Sequence, residues 1–253
     1  MPHKPATIST NDSGIATLLI QGGESVACRH FLESVQRKIR LLADAKETKG
    51  VLLAFRDTFL REAIPEAMPS SDLLTLSTLG QQVASDIESL GKPVIAAITG
   101  DCLGVPLELA LAADFILASV NAKLGFPGIK ENMIPFCGGS QRLARLVGKS
   151  VAKEMIFTGN TLDAAEAYRI GLVNRLYGDE SLLPEGEALL RKISGNSAFA
   201  IRVGGEIINA GYDIDLKTAC ILERDAFALI FSTPDKREGM SAFLEKREPL
   251  FGS

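Results

Sequence analysis

Hydrophobic and polar positions change their period several times along the chain. ATLLIQ (16–21) and GVLLAF (50–55) are short apolar runs with polar or glycine neighbours, and they predict strands. Between them, from about Cys28 to Ala45, apolar residues recur at helical spacing. PEAMPSSD (65–72), rich in proline and serine, reads as a mobile loop. A polar helix through LGQQVASDIESLG is expected next, closed by Gly91 in the manner of a glycine just past a helix end. KPVIAAITG (92–100) and DFILAS (114–119) are strand-like again. Strand and helix therefore alternate, which predicts an α/β fold with parallel pairing and right-handed crossovers.

From Gly148 the pattern turns helical: KSVAKEMIFTG (149–159), DAAEAYRIG (163–171), PEGEALLRKISG (184–195), a long stretch over 200–232, and a last helix from residue 235 up to Pro249. An α/β body of about 180 residues followed by a mostly helical tail is the expected layout. No internal repeat or low-complexity segment interrupts it.

Composition narrows the chemistry. The chain has 253 residues, 46% of them hydrophobic, with 27 Lys and Arg against 31 Asp and Glu. The net charge of −4 argues against nucleic acid as the main partner, because phosphate binding needs a basic face. No run of about 18 apolar residues occurs, so no membrane span is expected, and the N-terminus lacks a secretory pattern. Cys28, Cys102, Cys137 and Cys220 are scattered without CxxC spacing, as unpaired thiols of a cytoplasmic protein would be. With His3 and His30 the only histidines, neither a Ser-His-Asp triad nor a zinc centre is expected.

The stretch GDCLGVPLELALAADF (100–115) places one acid, Glu108, at the start of an otherwise apolar helix. Two readings follow from the residues. With Val105 as N-cap, Glu108 occupies the third helical position, where a carboxylate completes a capping box and suits the helix dipole. Alternatively, apolar neighbours raise its pKa and make it an acid or base.

KPVIAAITGDCLGVPLELALAADFILAS, AKLGFPGIKENMIPFCGGSQRLARLVGKSVAKEMIFTG, AAEAYRIGLVNRLY and the terminal TPDKREGMSAFLEKREPLF, in that order, resemble the crotonase superfamily, the enoyl-CoA hydratase/isomerase family. The resemblance is good over residues 92–178 and the last 20 residues, and only in outline over the first 90. It implies a crotonase-like spiral of ββα units over residues 1–190 and a C-terminal helical region over 191–253 that assembles trimers or dimers of trimers. It also implies an acyl-CoA or acyl-pantetheine thioester as substrate, with no permanently bound cofactor and no metal, and an enolate intermediate from which a carboxylate moves a proton.

Residue by residue, Glu108 matches the first of the family's two catalytic glutamates, and Val105 the donor of one oxyanion N–H. The second glutamate's position, after the proline of LGFPGIKENMIP, is Gly128. Glu131, three residues on, is the remaining nearby acid; a solvated charge beside Lys130 is its plainer reading. The second oxyanion N–H falls on Ala63 or Thr58, since AFRDTFLREAIPEAM contains no glycine. Arg56, Arg61, Lys92 and Lys246 are candidate contacts for the CoA phosphates, and Phe243 for closing the acyl pocket. In GGSQR (138–142) the glycines read as structural and Gln141 and Arg142 as packing or interface residues, with Cys137 a small buried neighbour. One carboxylate instead of two favours single-base chemistry, such as isomerisation of a 3-enoyl to a 2-enoyl thioester, over hydration. Decarboxylation or C–C cleavage, and a non-catalytic acyl-CoA-binding or assembly subunit, are the alternatives.

Overall fold

The computed structural model describes residues 6–21, 28–58 and 68–252. Its sheet runs in the order β1 (Ala6–Thr10), β2 (Ile15–Gln21), β3 (Gly50–Thr58), β4 (Val94–Leu103), β5 (Phe115–Ser119) and β8 (Arg175–Tyr177). Apart from the antiparallel β1–β2 pair, every neighbour in that path is parallel. Two short strands, β6 (Lys123–Gly125) and β7 (Thr161–Asp163), form a branch: β6 pairs parallel with the end of β4 and antiparallel with β7. The expected α/β class and the helical C-terminal region are both present.

The apolar runs of β3 and β4 are continuous because both faces of the sheet are covered. Val51, Leu53 and Phe55 alternate with Leu52, and Val94, Ala96 and Ile98 alternate with Ile95 and Ala97; the two sets enter separate cores. One core packs under α1 (Cys28–Asp44) and α2 (Ser70–Glu88), through Phe31, Leu32 and Val35 and through Leu76, Val83 and Ile87. The other is closed by α7 (Leu182–Ser194), whose Leu182 and Leu190 reach Ile15, Leu52 and Leu117. The division expected at residue 190 falls within this helix.

Strand β4 serves two partners. Its first part, Ile95 to Ile98, lies along β5, and its last part, Asp101 to Leu103, lies along β6. Between them Gly100 has φ +74°, a conformation open to glycine, and the strand can turn from one neighbour to the other. This turn carries the chain into the helix that bears Glu108.

Several local expectations are corrected. The helix expected from residue 79 starts at Ser70, so part of the proline- and serine-rich segment is helical rather than loop. The stretch over 200–232 is two helices, α8 (Ala198–Tyr212) and α9 (Leu216–Phe231), because Asp215 adopts an extended conformation and caps the N–H of Thr218 at 3.1 Å. The last helix, α10 (Pro234–Glu245), stops short of Pro249, where Lys246 turns left-handed at φ 54°. No helix among the described residues is long and apolar enough to cross a membrane.

Candidate active site

The site is built by the turn after β4. Gly104 has φ 67° and ψ −129°, which side-chain-bearing residues avoid, and its N–H donates to the Gly125 carbonyl of β6 at 3.0 Å. Helix α3 (Val105–Ala110) follows with all six residues buried. Gly104, not Val105, is the N-cap, so Val105 opens the helix, Pro106 is second and Glu108 fourth. The capping-box reading of Glu108 is therefore incorrect: the N-cap is a glycine, with no side chain to cap the helix. The reason is the positive φ that the turn demands.

Glu108 instead points into the protein and is 1% exposed. Its Oε2 accepts from the N–H groups of Cys137 and Gly139, both at 2.7 Å, and its Oε1 from the N–H of Phe136 at 3.2 Å. A carboxylate offers about four lone-pair positions, so the three donors found among the described residues leave one, on Oε1. Burial pushes the carboxyl pKa up to about 7, against the pull of the three N–H groups and of the Arg142 guanidinium. Both protonation states are thus accessible near neutral pH, which is what an acid or base requires.

Val105 lies at the first position of α3, where its N–H has no acceptor within the helix. Pro106, beside it, has no N–H to satisfy. Gly128 lies in a short 3₁₀ turn, Pro127–Glu131, and Glu131 is exposed at the end of that turn. Thr58 is fully buried at the end of β3, opposite Cys102 and beyond an irregularity in the β3–β4 register. Ala63 and Arg61 lie outside the described residues.

Lys92 is engaged elsewhere: its Nζ donates to the carbonyls of Leu42, Ala43 and Ala45 at 2.5, 3.1 and 2.8 Å, closing the end of α1. Arg56 and Lys246 are exposed. Phe243 is 79% exposed and belongs to neither apolar core among the described residues. Cys137 is buried, as expected, and burial pushes its thiol pKa up, as it does for Cys28. Among the described residues no cluster of three His, Cys, Asp or Glu side chains is placed to hold a metal.

Sequence reasoning located the acid but missed what holds it. The Phe136–Gly139 segment was readable only as a glycine-rich loop before α4 (Gly139–Val147). Backbone donors leave no pattern of side chains, and the two adjacent glycines were the one available signal.

The sequence profile described as enoyl-CoA hydratase/isomerase matches residues 62–253. The chain belongs to the enoyl-CoA hydratase/isomerase family. A crotonyl-CoA hydratase from Syntrophomonas wolfei is 42% identical over 189 residues, 75% of this chain and 73% of that relative. A short-chain-enoyl-CoA hydratase from Clostridium acetobutylicum is 42% identical over 170 residues, covering 67% of this chain and 65% of the relative. Among solved structures, an enoyl-CoA hydratase from Bacillus anthracis superposes with a TM-score of 0.89 at 29% identity, over 98% of each chain. The crotonase fold read from the sequence is thereby established. These family members are named hydratases, which gives no support to the preference for an isomerase or lyase.

Proposed function

We propose that this protein acts on acyl-CoA thioesters through an enolate, with Glu108 as the single carboxylate that moves the proton, and that its best-supported reaction is isomerisation of a 3-enoyl to a 2-enoyl thioester. The observation that carries the reading is Glu108 itself: a buried carboxyl, held by three N–H groups, with one acceptor position left open by the described residues and a pKa near neutrality. In this reaction Oε1 takes the proton from Cα, the electron pair delocalises over the diene and the thioester oxygen, and the same carboxyl returns the proton to Cγ. The Val105 N–H is the donor to the thioester oxygen, where such a preorganised bond contributes on the order of 10²–10³ in rate. Hydration needs a group to activate water as well as one to protonate Cα. Gly128 supplies no side chain for that second task. The hydratase names of the relatives favour hydration as the second reading.

Self-association into a trimer or a dimer of trimers is part of the proposal. Large apolar side chains on α8, α9 and α10, among them Ile208, Tyr212, Leu216, Phe227 and Leu244, are more than half exposed on the single chain, as a surface awaiting a partner would be. Lys246 is the described candidate for the CoA phosphates.

The test is incubation of the protein and Glu108→Gln with a 3-enoyl-CoA in D₂O, following bond position and deuterium uptake by NMR. Migration of the bond or exchange at Cα in the wild type, absent from the variant, supports the reading. A variant as active as the wild type overturns the role of Glu108; addition of water to a 2-enoyl-CoA supplied in parallel, with no migration of the 3-enoyl bond, favours the hydratase.

A further inference from the structure

Two consecutive glycines before and at the start of α4 face opposite charges. A Cβ on Gly139 would lie 2.5 Å from Cγ of Glu108 and 2.7 Å from its Oε2. A Cβ on Gly138, whose φ is 95°, would lie 2.2 Å from Nη1 of Arg142. The segment is thus gripped between the carboxylate and a guanidinium, and each glycine lacks a side chain where a different charged group packs. Arg142 Nη1 donates to the Cys137 carbonyl at 3.2 Å, while the N–H of the same residue donates to Glu108. The rest of the guanidinium meets Glu88, near the end of α2, through two bonds of 2.7 and 2.8 Å. This fork-to-fork pair fixes the plane of the guanidinium as well as its place.

We propose that Arg142 is a positioning residue for Glu108: anchored on Glu88, it fixes the Cys137–Gly139 segment whose N–H groups orient and retain the carboxylate. The inference rests on the proposed proton transfer by Glu108. An exposed ion pair contributes little to stability by itself. The Arg142 side chain is only 20% exposed, however, and its third bond goes to the segment that holds the acid. Its positive charge also favours the ionised form of Glu108. Among the described residues, the titratable groups coupled to that carboxyl are Arg142 from α4, the Cys137 thiol from the preceding segment and the Cys28 thiol from α1. From α2, Glu88 acts by way of Arg142.

The experiment uses the full chain with Arg142→Gln, Arg142→Lys and Glu88→Gln. The pH dependence of Cα deuterium exchange on a 3-enoyl-CoA is measured for each. An infrared titration of the buried carboxyl, assigned by its loss in Glu108→Gln, gives a readout independent of turnover. Arg142→Gln is expected to move the acidic limb of kcat to higher pH by about half a unit or more, roughly threefold in rate at a fixed pH below the midpoint. KM should change less than kcat, the carboxyl titration should shift in the same direction, and Arg142→Lys should recover part of the effect. If Arg142→Gln does not fold, Arg142→Lys carries the test, with a smaller shift of the same sign. An unmoved profile together with an unmoved carboxyl titration overturns the inference. A fully active Glu108→Gln overturns the proposed function whatever Arg142 does; an inactive Glu108→Gln beside an Arg142→Gln profile like the wild type overturns the Arg142 inference alone.

Discussion

The sulfur of Cys137 occupies the space that a side chain on Gly80 would need: a Cβ on Gly80 would lie 2.2 Å from Sγ and 3.0 Å from Cβ of Cys137. Gly80 is buried inside α2, and Cys137 gives one of the three N–H groups that hold Glu108. Gly80→Ala should therefore push on the loop that holds the acid. Overpacking of this kind costs about 1–3 kcal/mol, more than the roughly 1 kcal/mol that alanine gains over glycine in a helix. We expect a net loss of stability and of proton exchange, both recovered in Gly80→Ala/Cys137→Ala. Denaturant melts and exchange rates over the double-mutant cycle check this; additive losses with no recovery would exclude the contact as the cause.

Glu108 makes stability depend on pH in a direction opposite to most carboxylates. Its pKa is about 7 in the folded protein against 4.5 for the ordinary side chain. Between those values the folded protein holds a proton that the unfolded chain has released. Stability from this group is therefore fully present below about 4.5 and is lost as pH rises through 7. The separation corresponds to on the order of 3 kcal/mol. Glu108→Gln lacks this dependence, so unfolding measured at pH 5 and pH 8 should show the wild type gaining on the variant at the lower pH. An equal gap at both values would mean that the carboxyl is not shifted upward.

Gly128 can accept a side chain. A Cβ there meets Met133 at 3.5 Å, an ordinary contact. Gly128→Glu is expected to fold and to raise hydration of a 2-enoyl-CoA by about 10²-fold, the lower range for a positioned acid or base. Stopped assays with product analysis would read it. A folded, thioester-binding variant with no added hydration would show that this position does not deliver a second carboxylate to the substrate.

Lys92 serves the fold. With its Nζ on three carbonyls at the end of α1, Lys92→Met should lower stability by about 1 kcal/mol and leave the KM for a CoA thioester unchanged. A raised KM with unaltered melting would return Lys92 to the cofactor.

Much of the fold was legible because β3 and β4 are buried on both faces and read as unbroken apolar runs, while α1 shows its buried stripe at helical spacing. Glu108 was legible as an acid out of place. Its surroundings were not, since the N-cap depends on the backbone at Gly104 and the donors are main-chain groups of a distant segment. Lys92 looked like a free cation because nothing local announces that the end of α1 lies beside it. The break between α8 and α9 was marked by Asp215 and Thr218, a local cap that the apolar pattern on either side obscured.

The N–H groups that receive Glu108 stand 28 to 31 residues after it, beyond β5 and β6. A chain in which α3 has docked but that segment has not yet closed exposes the carboxyl to desolvation without any compensating donor. At that stage the neutral acid is the form the interior accepts. Ionisation becomes tolerable only when the glycine-rich segment is in place, so the charged base depends on a part of the chain far from the helix that bears it. Refolding should accordingly slow as the solution pH climbs, the entering carboxyl having first to find a proton.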